Sequence, residues 1–159
     1  MSMSGDEHFL QYAAELSRRS LGGAVGGPFG AVVVRDGRII GEGVNAVTAI
    51  NDPTAHAEVV AIRAACTAER NFSLAGATVY TSCEPCPMCL AACYWARVSR
   101  IVYAATRAEA AAAGFDDAFI YDEIPKEPEA RSMAMEHRPN ATATDTLAAW
   151  LAKADRIAY

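Results

Sequence analysis

Two short motifs, at positions 56–58 and 86–89, constrain this 159-residue chain more than any other feature of its sequence. His56-Ala57-Glu58 supplies an imidazole and a carboxylate, and Cys86-Pro87-Met88-Cys89 supplies two thiols. An imidazole and two thiolates suit Zn²⁺, and a site with three protein ligands keeps its fourth position for a water molecule. Such a site is catalytic, because the metal lowers the pKa of that water to about 7. We therefore predict that the fold brings both motifs together around one Zn²⁺ per chain, held by His56, Cys86 and Cys89.

The spacing within each motif agrees with one shared site. Cys86 and Cys89 are three residues apart, so on a helix both sulfurs lie on the same side. His56 and Glu58 would point away from each other in the middle of a helix, but side chains of a first turn can reach past the helix end. If both motifs begin helices, the positive ends of two helix dipoles favour the thiolates. Glu58 then stands beside the metal as the candidate proton carrier.

The hydrophobic pattern predicts alternating helices and strands. Gly22-Gly23 ends the first helix, Asp36-Gly37 is a hairpin turn, and Asp52-Pro53 begins the second helix. The predicted helices are 6–20, a segment from Pro53 with the apolar stripe Ala55, Val59, Ile62 and Cys66, and 86–96; the predicted strands are 30–34, 38–43, 77–81 and 100–105. The order strand, helix, strand, helix, strand implies parallel neighbours joined by crossovers. This predicts an α/β fold whose site lies at the carboxyl ends of strands.

The C-terminal part of the sequence has a different pattern. A polar linker at 125–129, with two prolines, follows Tyr121 and leads to a last predicted helix over 146–159. The apolar face of this helix needs a partner surface. The linker forms a proline-containing hinge, and such hinges favour exchange of an element between identical subunits. That face consists of Leu147, Trp150, Leu151, Ala154 and Ile157. Within one domain overall, we predict a catalytic core over 1–124 and a linker with a helical tail over 125–159.

The composition favours an enzyme with a small substrate. A chain of this length forms one domain, and 52% hydrophobic with 21% charged residues is ordinary for a globular protein. No segment approaches the roughly 18 apolar residues of a membrane span, and five cysteines fit reduced thiols, so we expect a cytoplasmic location. The net charge of −5, with Arg18-Arg19 as the densest basic cluster, argues against a nucleic-acid partner.

A second interpretation of the cysteines leads to a non-enzyme. Cys83, Cys86, Cys89 and Cys93 match the spacing of bacterial ferredoxins, which would make the chain an iron–sulfur electron-transfer protein. That spacing usually serves two clusters, however, and only Cys66 remains for a second set. Cys93 lies four residues after Cys89 on an apolar helix, so we expect it in the core, and we expect Cys83 to pack as well.

Three segments resemble the small bacterial guanine deaminases, which are zinc enzymes of the cytidine deaminase superfamily. They are Asn51–Glu58, Tyr80–Cys89 and Gly114–Tyr121, and the first two carry the H-x-E and P-C-x-x-C motifs of zinc-dependent base deaminases. The resemblance runs from about residue 9 to Tyr121, weakens between Pro125 and Asp145, and returns at Tyr159. It implies a three-layer α/β/α fold with a central mixed five-stranded sheet, and hydrolysis of guanine to xanthine and ammonia.

The resemblance also implies roles for individual residues. Glu58 would be the proton shuttle and Asp117 a second carboxylate near the leaving amino group. Asn45 would hydrogen-bond the base, with Phe29 stacked near it and Ala57 beside it. The chain would form a homodimer in which the C-terminal segment crosses to the partner and Tyr159 closes the active site. From the residues alone, Asn45 is equally typical of a turn at a strand end, and Asp117 is better explained as a turn residue after Gly114.

Other substrates are compatible with the same motifs. Deaminases of cytosine, of a nucleoside, of an aminated triazine such as ammeline, or of tRNA adenosine would all use this zinc chemistry. The shape of the pocket decides among them, and the motifs do not encode that shape.

Overall fold

The computed structural model describes residues 5–23 and 25–159, and the chain divides into two compact units. The N-terminal unit ends at Asp117, and the C-terminal unit is Ala118–Tyr159. The N-terminal unit contains α1 (Gly5–Leu21), β1 (Gly30–Arg35), β2 (Arg38–Val44), α2 (Val47–Ile50), α3 (Ala57–Glu69), β3 (Thr78–Cys83), α4 (Pro87–Trp95), β4 (Arg100–Ala105) and α5 (Arg107–Ala112). The C-terminal unit contains α6 (Ala118–Glu123), a 3₁₀ turn (Pro128–Ala130) and α7 (Ala141–Ala152).

The sheet of the described residues is mixed, as predicted, but it has four strands in the order β2-β1-β3-β4. β1 is antiparallel to both of its neighbours, and β3 is parallel to β4. The expectation of five strands was wrong, because the chain turns into α5 directly after β4. Thr106 and Glu109 form a reciprocal capping box there, which starts a helix instead of a strand. The predicted parallel pairing holds for β3 and β4, whereas β1 lies between β2 and β3.

Helices cover both faces of the sheet. On one face, Ala13 and Leu16 of α1 pack with Val32, Val34 and Tyr80. On the other face, the alternate residues of β1 and β3 pack against α3 and α4 in a second buried cluster. Its main members are Ala31, Val33, Ala57, Ala61, Ile62, Ala65, Leu74, Val79 and Cys93. The α/β arrangement with helical layers on both sides therefore follows from strands that are apolar on both faces.

Helix α3 approaches strand β2 closely, because both contribute small residues. A Cβ added to Gly41 would lie 2.5 Å from the carbonyl oxygen of Ala61, and one added to Gly43 would lie 2.6 Å from the nitrogen of Ala61. The buried face of α3 accordingly runs through Ala57, Ala61, Ile62 and Ala65. The predicted stripe through Ala55, Val59, Ile62 and Cys66 is confirmed in part. Ile62 is buried and Cys66 packs against the core, whereas Val59 is only half-buried and Ala55 precedes the helix.

Two predicted helix boundaries also differ from the structure. Helix α3 begins at Ala57 rather than at Pro53, because the carboxylate of Asp52 accepts hydrogen bonds from the backbone N–H and the hydroxyl of Thr54 in a local turn. The last helix covers Ala141–Ala152 rather than 146–159, because Asn140 caps it through the backbone N–H of Ala143. Ala154 and Ile157 lie beyond its end.

None of the helices in the described part of the chain combines the length and the apolar character that a bilayer crossing requires.

The close approach of α3 to β2 predicts the effect of a single methyl group. Gly41→Ala should lower the free energy of unfolding by at least about 2 kcal/mol in urea denaturation, because the added Cβ meets helix backbone that cannot yield cheaply. Gly5→Ala is the matched control, since no atom lies within 4 Å of its added Cβ, and it should change stability by less than about 0.5 kcal/mol. Equal stability of the two variants would contradict the close packing.

Candidate metal centre and active site

The two motifs lie at the beginnings of two helices. His56 is the N-cap residue of α3 and Cys86 is the N-cap residue of α4, and both have extended backbone conformations. His56 precedes the first residue of α3, and Glu58 is the second residue of that helix. The two side chains therefore do not project from opposite sides of a helix. The predicted use of two helix N-termini at one site is therefore confirmed, although α3 begins four residues later than the Asp52-Pro53 signal indicated.

His56, Cys86 and Cys89 converge on one point. The Nδ1 atom of His56 lies 3.5 Å from the sulfur of Cys86 and 3.5 Å from the sulfur of Cys89. Among the described residues this is the group of three metal-ligating side chains that the fold assembles, with its ligand atoms within 4.8 Å of one another. A tetrahedral Zn²⁺ with ordinary bond lengths keeps its nitrogen and sulfur ligands about 3.6 Å apart. The donor set and its spacing therefore fit zinc.

The two thiols of the site differ in their protonation. The thiol of Cys89 donates to Oε2 of Glu58 at 3.4 Å, and its sulfur also lies 3.5 Å from Nδ1 of His56. Hydrogen bonding from Cys89 lowers the pKa of Cys86 to about 4, and the same pairing raises the pKa of Cys89. Hydrogen bonding to Cys86 raises the pKa of His56. The pKa of Cys86 thus favours its thiolate form, and metal binding has to displace the proton of Cys89.

The carboxyl group of Glu58 is almost completely buried next to the ligands. Only 6% of the residue is exposed, and burial raises the pKa of Glu58. Its Oε2 atom accepts from the sulfur of Cys89 at 3.4 Å, and its Oε1 atom accepts from the hydroxyl of Thr81 at 3.3 Å. A buried carboxyl group within contact distance of a metal ligand can exchange protons with a molecule at the metal.

Asn45 is buried at the end of β2, and its side chain has a structural contact of its own. The Oδ1 atom accepts from the backbone N–H of Gly27 at 3.1 Å and from that of Val47 at 3.2 Å. Two N–H donors fix the orientation of the amide, so that its NH₂ group points the other way. No partner for this NH₂ group lies among the described residues. Asn45 therefore holds a turn with its side-chain oxygen, and its NH₂ group can donate a hydrogen bond to another acceptor.

Phe29 packs against the core and against a second aromatic ring. Its ring meets that of Phe115 edge-to-face, with centroids 4.8 Å apart. A Cβ on Gly27 would lie 3.1 Å from Phe29 and 3.2 Å from Phe115, so the glycine leaves room for both rings. Phe115 was missed in the sequence, because one phenylalanine after a glycine carries no periodic signal.

Asp117 is the last residue of the N-terminal unit. It is half-buried, and its pKa is raised by burial and by the negative charge of Cys86. The segment that carries it follows α5, whose first residue donates its backbone N–H to the carboxylate of Glu84 at 2.9 Å. Glu84 precedes Cys86 by two positions. Its hydrogen bond therefore connects the loop before α4 to the start of α5, and Asp117 follows that helix in the chain.

The remaining cysteines do not join the metal-ligating group. Cys93 packs in the core, and burial raises its pKa to about 12. The buried thiol of Cys83 donates to the carbonyl oxygen of Thr106, and burial raises its pKa to about 11. The expected packing of both residues is confirmed, and the ferredoxin-like run does not converge on a cluster site in the described structure.

Thr81 is the other residue that the sequence did not reveal. In the sequence it is the last residue of the predicted strand 77–81. The available signal was a hydroxyl group among apolar strand residues. Its partner, Glu58, lies 23 residues away in the chain, and only the fold brings the two side chains together.

Comparison with known proteins identifies the family. The zinc-binding region of cytidine and deoxycytidylate deaminases matches residues 3–105. The chain belongs to this deaminase family. The predicted superfamily and the predicted zinc cofactor are thereby confirmed, and His56, Cys86 and Cys89 are the residues placed to hold the ion.

Similar proteins within the family include two kinds of deaminase. Guanine deaminase from Bacillus subtilis is 56% identical over 127 residues, which are 80% of this chain and 81% of that protein. The X-ray structure of guanine deaminase from the same organism matches with a TM-score of 0.93 at 49% identity, covering 96% of this chain and 98% of that chain. A tRNA-specific adenosine deaminase from Agrobacterium fabrum is 44% identical over 103 residues, which are 65% of this chain and 67% of that protein.

The asymmetry of the two thiols predicts a selective reaction in the zinc-free protein. At pH 6, iodoacetamide should modify Cys86 at least ~10-fold faster than Cys66, because the attacking species is the thiolate. The rate at Cys86 should stay nearly flat from pH 5 to 8, since its pKa lies below that range. The rate at Cys66 should rise with pH, because burial raises the pKa of that half-buried thiol. Peptide mass spectrometry measures both rates.

Two controls accompany this measurement. Cys89→Ala removes the hydrogen-bond donor and should slow the modification of Cys86 at pH 6. Added zinc should protect Cys86 and leave Cys66 unaffected. Equal rates at Cys86 and Cys66 at pH 6 would show that Cys86 is not a preformed thiolate.

Proposed function

We propose that the chain catalyses the zinc-dependent hydrolysis of guanine to xanthine and ammonia. The observation that carries this proposal is the convergence of His56, Cys86 and Cys89 beside the buried carboxyl group of Glu58. The likeness to guanine deaminase over 80% of the chain supports the choice of substrate. The cytoplasmic location expected from the sequence stays a prediction, and no nucleic acid is part of this proposal.

The reaction needs a nucleophile and two proton transfers. Bound zinc supplies the nucleophile, because it lowers the pKa of a water molecule. Glu58 would accept a proton from that water and deliver it to the ring nitrogen next to C2, while the water oxygen bonds to C2. Its burial and its contact with Cys89 keep the carboxyl group at the reacting atoms. The hydroxyl group gained at C2 then loses its proton as the carbon–oxygen double bond forms, while the amino group gains a proton and leaves as ammonia. Asp117 would be the carboxyl group that carries this proton.

Three further residues hold the base in this proposal. The NH₂ group of Asn45 donates to an acceptor atom of the purine, while its Oδ1 atom remains bound to the backbone. Ala57 is the first residue of α3, where backbone N–H groups lack intrahelical partners and can contact the base. Phe29, supported edge-to-face by Phe115, offers an aromatic ring beside it.

A substrate panel tests the activity directly. The wild-type protein should release ammonia from guanine faster than from guanosine, cytosine, cytidine, adenine, ammeline or a tRNA anticodon stem-loop. Glu58→Gln should bind zinc normally but turn over at least ~100-fold more slowly, because an amide cannot carry the proton. Faster release from any other member of the panel would reassign the substrate, and near-normal turnover of Glu58→Gln would remove Glu58 from the chemistry.

Two substitutions separate substrate binding from the chemical step. One replaces an amide with an acid, and the other replaces an acid with an amide. Asn45→Asp keeps the oxygen acceptor for Gly27 and Val47 and loses the donor, so KM for guanine should rise by about 5- to 150-fold. Asp117→Asn loses the transferable proton, so kcat should fall more than KM changes. Steady-state kinetics at one pH measure both variants. An unchanged KM for Asn45→Asp, or an unchanged kcat for Asp117→Asn, would leave that residue with a structural role only.

The C-terminal segment supports a further part of the proposal, a homodimer with exchanged tails. The apolar side chains of α7 are exposed in the single chain: Leu147 is 71%, Trp150 44% and Leu151 68% accessible. Such a surface needs a partner surface. In the proposed dimer, the linker at 125–129 carries the tail across to a second copy of the chain, which provides that surface. We place the catalytic core at 1–124 and the exchanged linker and tail at 125–159, with Tyr159 covering the partner's active site and Trp150 as an anchor.

Mixed dimers test this arrangement. Deletion of Ala158 and Tyr159 should reduce turnover while zinc content and folding stay normal, because the lost ring no longer excludes water from the site. When this variant is mixed with inactive Glu58→Gln, exchanged tails should restore activity in the heterodimer, since an intact tail then covers an intact site. Demonstrated subunit mixing without any restoration would show that each tail serves its own chain.

A further inference from the structure

One hydroxyl group stands in an otherwise apolar row of the central sheet. Val79, Thr81 and Cys83 alternate onto the same face of β3, and all three are buried. Thr81 is 1% exposed, and valine has nearly the same shape. A buried hydroxyl weakens a core unless it has a hydrogen-bond partner. Packing alone therefore does not account for threonine at this position.

The partner of this hydroxyl is the buried carboxyl group of Glu58. The Oγ1 atom of Thr81 donates to Oε1 of Glu58 at 3.3 Å. Oε2 of the same carboxyl group faces the sulfur of Cys89 at 3.4 Å. One oxygen of Glu58 is thus held by the sheet and the other points to the metal ligands.

The two oxygens of this carboxyl group have different surroundings. Among the described residues, Thr81 is the side chain that donates to Oε1, whereas Oε2 faces Cys89. The hydrogen bond from the sheet therefore opposes rotation of the carboxyl group away from the ligands.

We propose that Thr81 is a positioning residue for Glu58: its hydroxyl fixes the rotamer that keeps Oε2 at the reacting atoms. The proposal rests on the proposed function, because it assigns Glu58 the proton transfers. Thr81 does not touch the substrate and does not bind the metal in this role. Loss of its hydroxyl should therefore slow the chemical step without weakening the binding of guanine.

Substitutions at two positions of β3 test this role in the zinc-loaded enzyme. Thr81→Val should lower kcat for guanine by about 10- to 100-fold with KM, zinc content and thermal midpoint near wild type. Thr81→Ser restores the hydroxyl and should return kcat to within about threefold of wild type. Thr78→Val is the matched control, since Thr78 lies on the opposite face of the same strand, and it should leave kcat unchanged.

Two measurements separate positioning from a structural effect. In a Glu58→Gln background, Thr81→Val should cause no further loss of turnover, because the group that it positions is already inactive. Infrared difference spectra of the zinc-free proteins, each against its Glu58→Gln counterpart, isolate the carboxyl band of Glu58. That band should shift in Thr81→Val and return toward its wild-type frequency in Thr81→Ser.

The outcomes distinguish this inference from the proposed function. Wild-type kcat in Thr81→Val, an unshifted carboxyl band, or an equal loss in the Glu58→Gln background would overturn the role of Thr81. A Glu58→Gln variant as active as wild type would instead overturn the proposed proton transfers. Absence of ammonia release from guanine by the wild-type protein would overturn the substrate, while the infrared measurement would still report on the hydrogen bond.

Discussion

The close packing of α3 on β2 is the contact on which the rest of the site depends. Gly41 and Gly43 have no side chains, and Ala57, Ala61 and Ala65 present small ones, so helix and strand backbones approach within the space that a single Cβ would need. The beginning of α3 is thereby held against the sheet, and it carries His56 and Glu58. A larger residue in this row would displace the helix and move an imidazole and a carboxyl group away from the sulfurs of α4.

The charges of the site are arranged before any metal binds. Hydrogen bonding from Cys89 lowers the pKa of Cys86 to about 4, and the N-terminal ends of α3 and α4 both lie beside the ligands. Glu58 lies in a buried position that favours its neutral form. The fold thus combines the sulfur of Cys86, which attracts a cation, with the carboxyl group of Glu58, which can hold a proton. This is the combination that hydrolysis of an amine on an aromatic ring requires.

Several polar residues around the site have structural hydrogen bonds of their own. Asn45 holds the loop at Gly27 with its oxygen and keeps its NH₂ group for another acceptor. Glu84 connects the ligand loop to α5, which leads toward Asp117. The hydrogen bonds of Asn45 explain why it looks like a turn residue in the sequence, because its oxygen holds the local backbone.

The amino-acid sequence by itself determined the metal ligands, the family, the limits of β4 and the start of β1. These depend on ligand chemistry and on periodicities within a few residues. Tertiary structure decided the rest: the start of α3 at Ala57, the placement of β1 between β2 and β3, and the pairing of Thr81 with Glu58. These features depend on which backbones can approach each other and on contacts between residues far apart in the chain. Local pattern does not contain that information, because it arises only when the helices pack on the sheet.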